Sequence, residues 1–405
     1  MNILFLIHRI PYPPNKGDKI RSFHEIKYLA QENNLHLAFL VDDERDLEHL
    51  HELKKYCVDF DFDVIDTRWQ KIKSLPYLFS DKPLSVPCFY SRKLQQAIDR
   101  RLQETRVDAV ICFSSPMAEY VFRNDSYRSG RLNGTKLIMD FVDVDSDKWR
   151  MYAGFSRFPY SAIYRREWRL LQEYEKRVGE VFDRSIFVSE KEVELFSSFC
   201  PQARAMAIPN GVDADYFSPT EKTGSTELTD KSGPTVIFTG AMDYFPNEDA
   251  VVFFVEEIGP LVKQELTSAR FFIVGSKPGK RVKALADSDS QVTVTGYVPD
   301  VRPYLAMADV FIAPFRIARG VQNKVLEAMA AGVPVVARPE AVQGLGDHHG
   351  GIRVVSEPQQ FARAVIDSLR DDRGRQAMID SMHNYITEHH CWTTNLKEFT
   401  GILAA

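Results

Sequence analysis

The sequence predicts an α/β protein built from two doubly wound, Rossmann-like domains that face each other across a cleft. Three observations predict it. Short β-branched runs alternate with helical patterns along nearly the whole chain, which is the signature of parallel βαβ units. The alternation stops once, at a polar stretch, and then restarts. The 405 residues are also too many for one ordinary core.

The first series of strands reads NILFLI (2–7), LHLAFLV (35–41), AVICF (109–113), KLIMDF (136–141) and RSIFVS (184–189). The opening MNILFLIHRI has no basic leader and its apolar run stops at His8, so it is a buried strand rather than a signal peptide. Between the first two strands Ile20, Phe23, Ile26 and Ala30 recur at three- and four-residue steps, which predicts a helix. RREWRLLQEYEKRV (165–178) is an amphipathic helix with Trp168, Leu171 and Tyr174 on one side. Asn210-Gly211 marks a turn, and TEKTGSTELTDKSGP (220–234) has the composition of a linker. The second series follows as TVIFTG (235–240), ARFFIVG (269–275), QVTVTGYV (291–298), DVFIAPF (309–315), VPVVA (333–337) and GIRVV (351–355), with helical pattern from about Phe361. The expected division is 1–217, a linker at 218–233, a second domain at 234–385, and a last helix at 386–405.

Composition narrows the function. Apolar residues at 44%, charged residues at 26% and a net charge of -5 fit a globular protein and argue against disorder or a nucleic-acid partner. No run approaches the ~18 apolar residues of a membrane span. The five cysteines are scattered, as reduced cytosolic thiols are. His348 and His349 sit in the loop-like GLGDHHGG, so no metal site is expected. Residues 67–136 hold 13 Lys+Arg against 6 Asp+Glu, either solvated helix faces or a basic surface for anionic lipid or a diphosphate-bearing acceptor.

The most informative stretch is GVQNKVLEAMAAGVPVVA (320–337). Val321, Val325 and Met329 lie four apart, predicting a helix from Gly320 that Gly332 closes before a strand. A glycine opening a helix after a strand aims N–H groups beyond the strand ends, and that is an anion site suited to a diphosphate. Lys324, in the first turn, can neutralise the same phosphates.

This segment resembles the donor signature of glycosyltransferase family 4, whose members have the GT-B architecture. FTGAMDYFPNEDAV (238–251), VTGYVPDVRPYLAMADVFIAP (294–314), AIPNGVDADYF (207–217) and RIPYPPNKGDKIRS (9–22) extend the resemblance along the chain. NKGDKIRS and RGVQNKVLEAMA look most like sugar transferases of PEP-CTERM/exosortase exopolysaccharide systems. The resemblance implies retaining, metal-independent transfer from a nucleoside diphosphate sugar to a polysaccharide or lipid-linked acceptor. It implies a cytoplasmic enzyme, peripheral on the inner face of the membrane, with no cofactor and no nucleic acid. It also implies that the last helix crosses back to the N-terminal domain. Carried over residue by residue, Glu327 holds the ribose. Gly240, Gly320, Val321, Gln322, Asn323 and Lys324 hold the donor from the second domain, and Gly17, Asp18, Lys19 and Arg21 close on it from the first. Gly17 also reads as a simple helix start.

Two departures stand out. Arg319 replaces the glutamate found eight positions before Glu327, which makes it a candidate catalytic cation. The turn after the second domain's first strand, Gly240-Ala-Met-Asp-Tyr-Phe-Pro-Asn, lacks the usual cation, which Arg319 and Lys324 can replace. Cleaving an anomeric bond to a diphosphate develops negative charge that preorganised donors must meet, and the acceptor hydroxyl must lose a proton. Asp143, in FVDVDSDKWR (141–150) after a strand, is the candidate base; Asp143, Asp145 and Asp147 also read as a helix N-cap cluster. The alternatives are a sugar-nucleotide epimerase of the same architecture and a binding subunit without turnover. A dehydrogenase lacks its G-x-G-x-x-G turn here. RWQKIKSLPYLFSDK (68–82) mixes aromatics and cations as a membrane-surface contact does, or as a covered core segment with solvated cations.

Overall fold

The computed structural model describes residues 1–218, 233–318, 322–343, 345, 351–370 and 375–404, without the side chains of Thr67, Arg68, Lys71 and Arg375. The expected linker at 218–233 therefore falls almost wholly outside the described residues. The chain forms two compact units, Met1–Pro209 with Leu396–Ala405, and Asn210–Asn395.

The first unit is built on a parallel sheet of seven strands: β1 (Asn2–Ile7), β2 (Asn34–Val41), β3 (Asp59–Val64), β4 (Ala109–Phe113), β5 (Lys136–Val142), β6 (Arg184–Phe187) and β7 (Ala205–Ala207). Their order is β3-β2-β1-β4-β5-β6-β7. β1, β2 and β4 are near-continuous apolar runs because helices cover both faces of the sheet, and Ile3 to Ile7 are at most 1% exposed. The edge strand β3 reads DFDFDV. Its aspartates point to His36, Arg101 and Ser91, while Phe60 and Phe62 meet Phe39.

The second unit has six parallel strands: β8 (Thr235–Thr239), β9 (Arg270–Val274), β10 (Val292–Gly296), β11 (Val310–Ala313), β12 (Val335–Ala337) and β13 (Ile352–Val354). They run β10-β9-β8-β11-β12-β13. Both sheets are doubly wound, so each has a switch point where strand order reverses. It lies between β1 and β4 in the first unit and between β8 and β11 in the second. A crevice opens beyond the carboxyl ends of the strands at such a point, and ligands bind there.

The chain returns to the first unit at Leu396, whereas the sequence placed the last segment from 386. Residues up to Asn395 stay with the second unit: Val212 N–H donates to His390 O at 2.7 Å, and the Asn395 amide to Asn210 O at 3.1 Å. In the first unit the helix Lys397–Ala404 buries Phe399, Ile402 and Leu403. Thr400 Oγ1 lies 3.0 Å from Tyr28 Oη, and the Lys136 ammonium donates to Leu403 O.

Candidate functional site

At the second unit's switch point the chain leaves β8 through Gly240, at φ 155°. A Cβ there would stand 2.8 Å from Asn247 Nδ2 and 3.0 Å from Lys324 Nζ. The neighbouring turn after β9 is just as close: a Cβ on Gly275 would lie 1.7 Å from Gly240 O. The two turns are thus held backbone against backbone, with Gly240 N–H donating to Val274 O at 3.0 Å.

The helix Asn323–Ala330 delivers Lys324 to this turn. Its ammonium donates to Asn247 Oδ1 at 2.5 Å and stands 5.2 and 4.9 Å from the ring centres of Phe238 and Phe315. Asn247 Nδ2 in turn donates to Ala241 O at 2.8 Å. Asn247 was not singled out in the sequence, although an asparagine in the first turn of the helix Phe245–Phe253 is the signal that marks it. The cation missing after β8 is therefore supplied in space by Lys324. Beside it, Gln322 caps the helix start and its carbonyl accepts from Val325 N–H at 2.8 Å. Asn323 Oδ1 accepts from Asn210 Nδ2 at 3.2 Å, and the N–H groups that open a helix, ahead of the Val325 bond, have no intrahelical carbonyl to meet. Arg319, Gly320 and Val321 lie outside the described residues.

Glu327 sits one turn along the same helix and is half-buried like Lys324. Burial pushes its carboxyl up to about 7 against the attraction of Lys324. Burial likewise pulls the Lys324 ammonium down to about 8 against the attraction of Glu327. Each is poised near neutrality, where a ligand can set its charge.

In the first unit, Gly17 opens the helix Gly17–Leu29. A Cβ there would meet nothing within 4 Å, so the chain itself does not demand glycine; open space in front of backbone is what an approaching ligand needs. Asp18 accepts from Arg9 and lies 3.2 Å from His8 Nε2. Burial opposes its ionisation, yet His8, Arg9 and the Lys19 N–H together hold its carboxyl far below the ordinary range. Lys19 is turned inward, 1% exposed, with its ammonium 2.5 Å from Asp46 Oδ2. That ion pair commits its charge, and Arg21 is fully buried against Asp140 and Ile208 O, so the structure brings Gly17 and Asp18 to the end of β1 and turns Lys19 and Arg21 inward.

Asp143 follows β5 in a constrained loop. The pairing of β5 with β6 shifts register between Asp140 and Val142, and Val142 has φ 68°. A β-branched residue in the left-handed region is strained. The loop is held from behind by three acids: Asp140 Oδ1 accepts from Val142 N–H at 2.9 Å, Glu192 Oε2 from Val144 N–H at 2.7 Å, and Glu175 Oε1 from Ser146 N–H at 3.1 Å. Burial holds the Glu175 carboxyl well above its ordinary range. Asp140 also binds the fully buried Arg21 at 2.8 Å, and Arg21 donates to Ile208 O at 2.8 Å. Val144, not an aspartate, is the N-cap of the helix Asp145–Phe155, with no side-chain cap bond; Asp145 and Asp147 stand inside its first turn. Among the described residues no group of three or more His, Cys, Asp and Glu side chains is placed to hold a metal ion.

Comparison with known proteins puts names beside this geometry. Residues 233–371 match the model of the family described as Glycosyl transferases group 1. The chain is similar to the GDP-mannose-dependent alpha-(1-6)-phosphatidylinositol monomannoside mannosyltransferase of Mycobacterium tuberculosis, at 30% identity over 253 residues. That match covers 56% of this chain and 63% of the relative, so the chain spans less than two thirds of the relative's length. Among solved structures, sucrose-phosphate synthase from Thermosynechococcus elongatus aligns with TM-score 0.72 at 14% identity, covering 100% of this chain and 98% of that one. Anabaena Alr3699/HepE in complex with UDP and glucose aligns with TM-score 0.67 at 14% identity, covering 100% of both chains. At such identities the likeness is one of fold: two Rossmann-like domains of the GT-B kind.

Proposed function

We propose that this chain is a glycosyltransferase that moves a sugar from a nucleoside diphosphate sugar to a polysaccharide or lipid-linked acceptor, with retention at the anomeric carbon. One observation carries the reading. The ammonium of Lys324 is fixed by Asn247 over the Gly240 turn at the switch point, inside the segment that matches the Glycosyl transferases group 1 model. The names of the similar proteins point to the same donor class, since GDP-mannose, UDP and glucose all appear in them. One relative is named for a phosphatidylinositol monomannoside, which supports a lipid-linked acceptor; a cytoplasmic enzyme working on the inner face of a membrane is proposed with it, on the family resemblance. The exopolysaccharide setting rests on the resemblance of NKGDKIRS and RGVQNKVLEAMA alone.

In this proposal the second unit binds the donor. Lys324 and the first-turn N–H groups around Gly320, Val321, Gln322 and Asn323 meet the diphosphate, and they, rather than a metal ion, take up its developing charge. Glu327 accepts from the ribose hydroxyls, and Arg319 adds a second cation near the leaving group. Gly240 keeps the backbone free of a side chain where the phosphates approach. In the first unit, Gly17 and Asp18 close on the donor, and Asp143 takes the acceptor hydroxyl's proton while the anomeric bond to the diphosphate breaks.

A screen of labelled nucleotide sugars, with and without membrane extracts as acceptor, tests the activity. Transfer that persists in a chelator and falls at least tenfold in Lys324→Met is the expected result. Epimerised donor without any acceptor would make the chain an epimerase. Donor affinity with no turnover would make it a binding subunit, the reading that the Arg319 departure favours.

A further inference from the structure

The first unit carries exposed apolar surface that donor chemistry does not use. The helix Thr67–Ser74 and the turn Leu75–Phe79 present Trp69, 61% exposed, with Ile72, Leu75 and Phe79, the last 95% exposed. A second element does the same. The helices Asp145–Phe155 and Tyr160–Val181 pack as a hairpin through Trp149, Tyr152 and Tyr164, with ring centres 5.4 to 6.0 Å apart. The tip of the hairpin projects Phe155, Phe158 and Tyr160, the two phenylalanines 83% and 84% exposed.

The two elements are one surface. Arg166 donates to Tyr77 O at 2.6 Å, to Lys82 O at 3.2 Å and to Ser80 O. Glu167 accepts from the N–H groups of Leu84 and Ser85 at 2.6 and 2.8 Å. Arg166 is only about 9 Å of helix beyond Tyr160 at ~1.5 Å per residue. The hairpin tip and the Trp69–Phe79 segment are therefore neighbours, clamped together by these polar bonds.

Charge then selects the occupant. Neither 67–80 nor 148–166 contains a single Asp or Glu. The described side chains of Lys73, Lys148, Arg157 and Arg165 are all exposed there. A contiguous apolar patch marks an interaction site. Self-association through this one would set cation against cation, whereas an anionic bilayer meets both features at once: aromatics enter the head-group boundary and cations meet lipid phosphates. We propose that the segment Thr67–Phe79 and the hairpin tip Phe155–Tyr160 together form a two-pronged docking surface for an anionic membrane. The purpose rests on the lipid-linked acceptor proposed above; the binding does not.

Sedimentation of the full chain with pure lipid vesicles tests it, with no donor or acceptor present, so that failure here leaves the transfer reading standing. With vesicles of equal parts phosphatidylcholine and phosphatidylglycerol the chain should pellet at low salt. Binding should fall at least tenfold with phosphatidylcholine alone, in high salt, and in K73E/R157E/R165E. F155S/F158S and W69S/F79S should each lose at least tenfold, their unchanged thermal melts showing intact folds. Binding to neither vesicle, equal binding to both, or binding indifferent to the hairpin substitutions overturns the proposal. So does a dimer in solution that F155S/F158S converts to monomer, because the patch would then be a self-interface.

Discussion

Lys324 and Glu327 make a pH-dependent pair whose sign can be worked out. Glu327 gains its proton below about 7 and Lys324 loses its own above about 8. A ribose hydroxyl wants an ionised carboxylate, and a diphosphate wants an ammonium. Affinity for a nucleoside diphosphate sugar, whose phosphate esters do not titrate here, should therefore be greatest between those values and decline on both sides. Calorimetric titration across pH 6 to 9 checks it, on the order of tenfold per limb. Glu327→Gln should flatten the acid limb and Lys324→Met the alkaline one; unchanged limbs in both variants would mean that neither residue meets the donor. Much of this site was legible as residue types. Lys324 and Glu327 are visible in the sequence because a helix-opening pattern carries them. Asn247 was not, since its role depends on two turns meeting across the sheet. Nor was the inward turn of Lys19, which depends on its ion pair with Asp46, distant in sequence.

At the scale of elements, the strands buried on both sides were readable as apolar runs. β3 was not, because its aspartates mask a strict alternation of phenylalanines, and β7 is too short to show a period. The loop after β5 was legible only as an aspartate cluster; its strain comes from Val142 at φ 68° and from glutamates on two later helices. That strain predicts an unusual substitution. Val142→Gly removes roughly 1–3 kcal/mol of backbone strain and adds about 1 kcal/mol of chain flexibility. The thermal midpoint should hold or rise while transfer slows about tenfold, because Asp143 is no longer aimed. A lowered midpoint with full activity would show that the conformation serves packing and not the site. Glu192→Gln, which keeps an acceptor for Val144 N–H, should be much milder than Glu192→Ala in the same assay.

For the whole molecule, two alternating series were enough to expect two doubly wound domains, but not where the chain changes hands. That depends on long-range bonds, such as His390 O with Val212 N–H, which no local pattern announces. Ending the chain after Asn395 removes Leu396, Phe399, Ile402 and Leu403, all at most 6% exposed. At about 1.5–3 kcal/mol for each buried side chain, taken as an upper estimate, the loss rivals the ~5–15 kcal/mol margin of a typical domain. Limited proteolysis of the truncated chain should digest the first unit and spare the second; equal resistance of both would show the last helix to be dispensable. The return of the chain at Leu396 also sets a timetable. Domains ordinarily fold as they leave the ribosome, N-terminal first. Here the first unit must wait, incomplete, while the whole second unit is translated, and it is sealed only by residues made afterwards. A message cut short anywhere before that point yields a chain whose first unit is open, a defect that a cell's proteases can read.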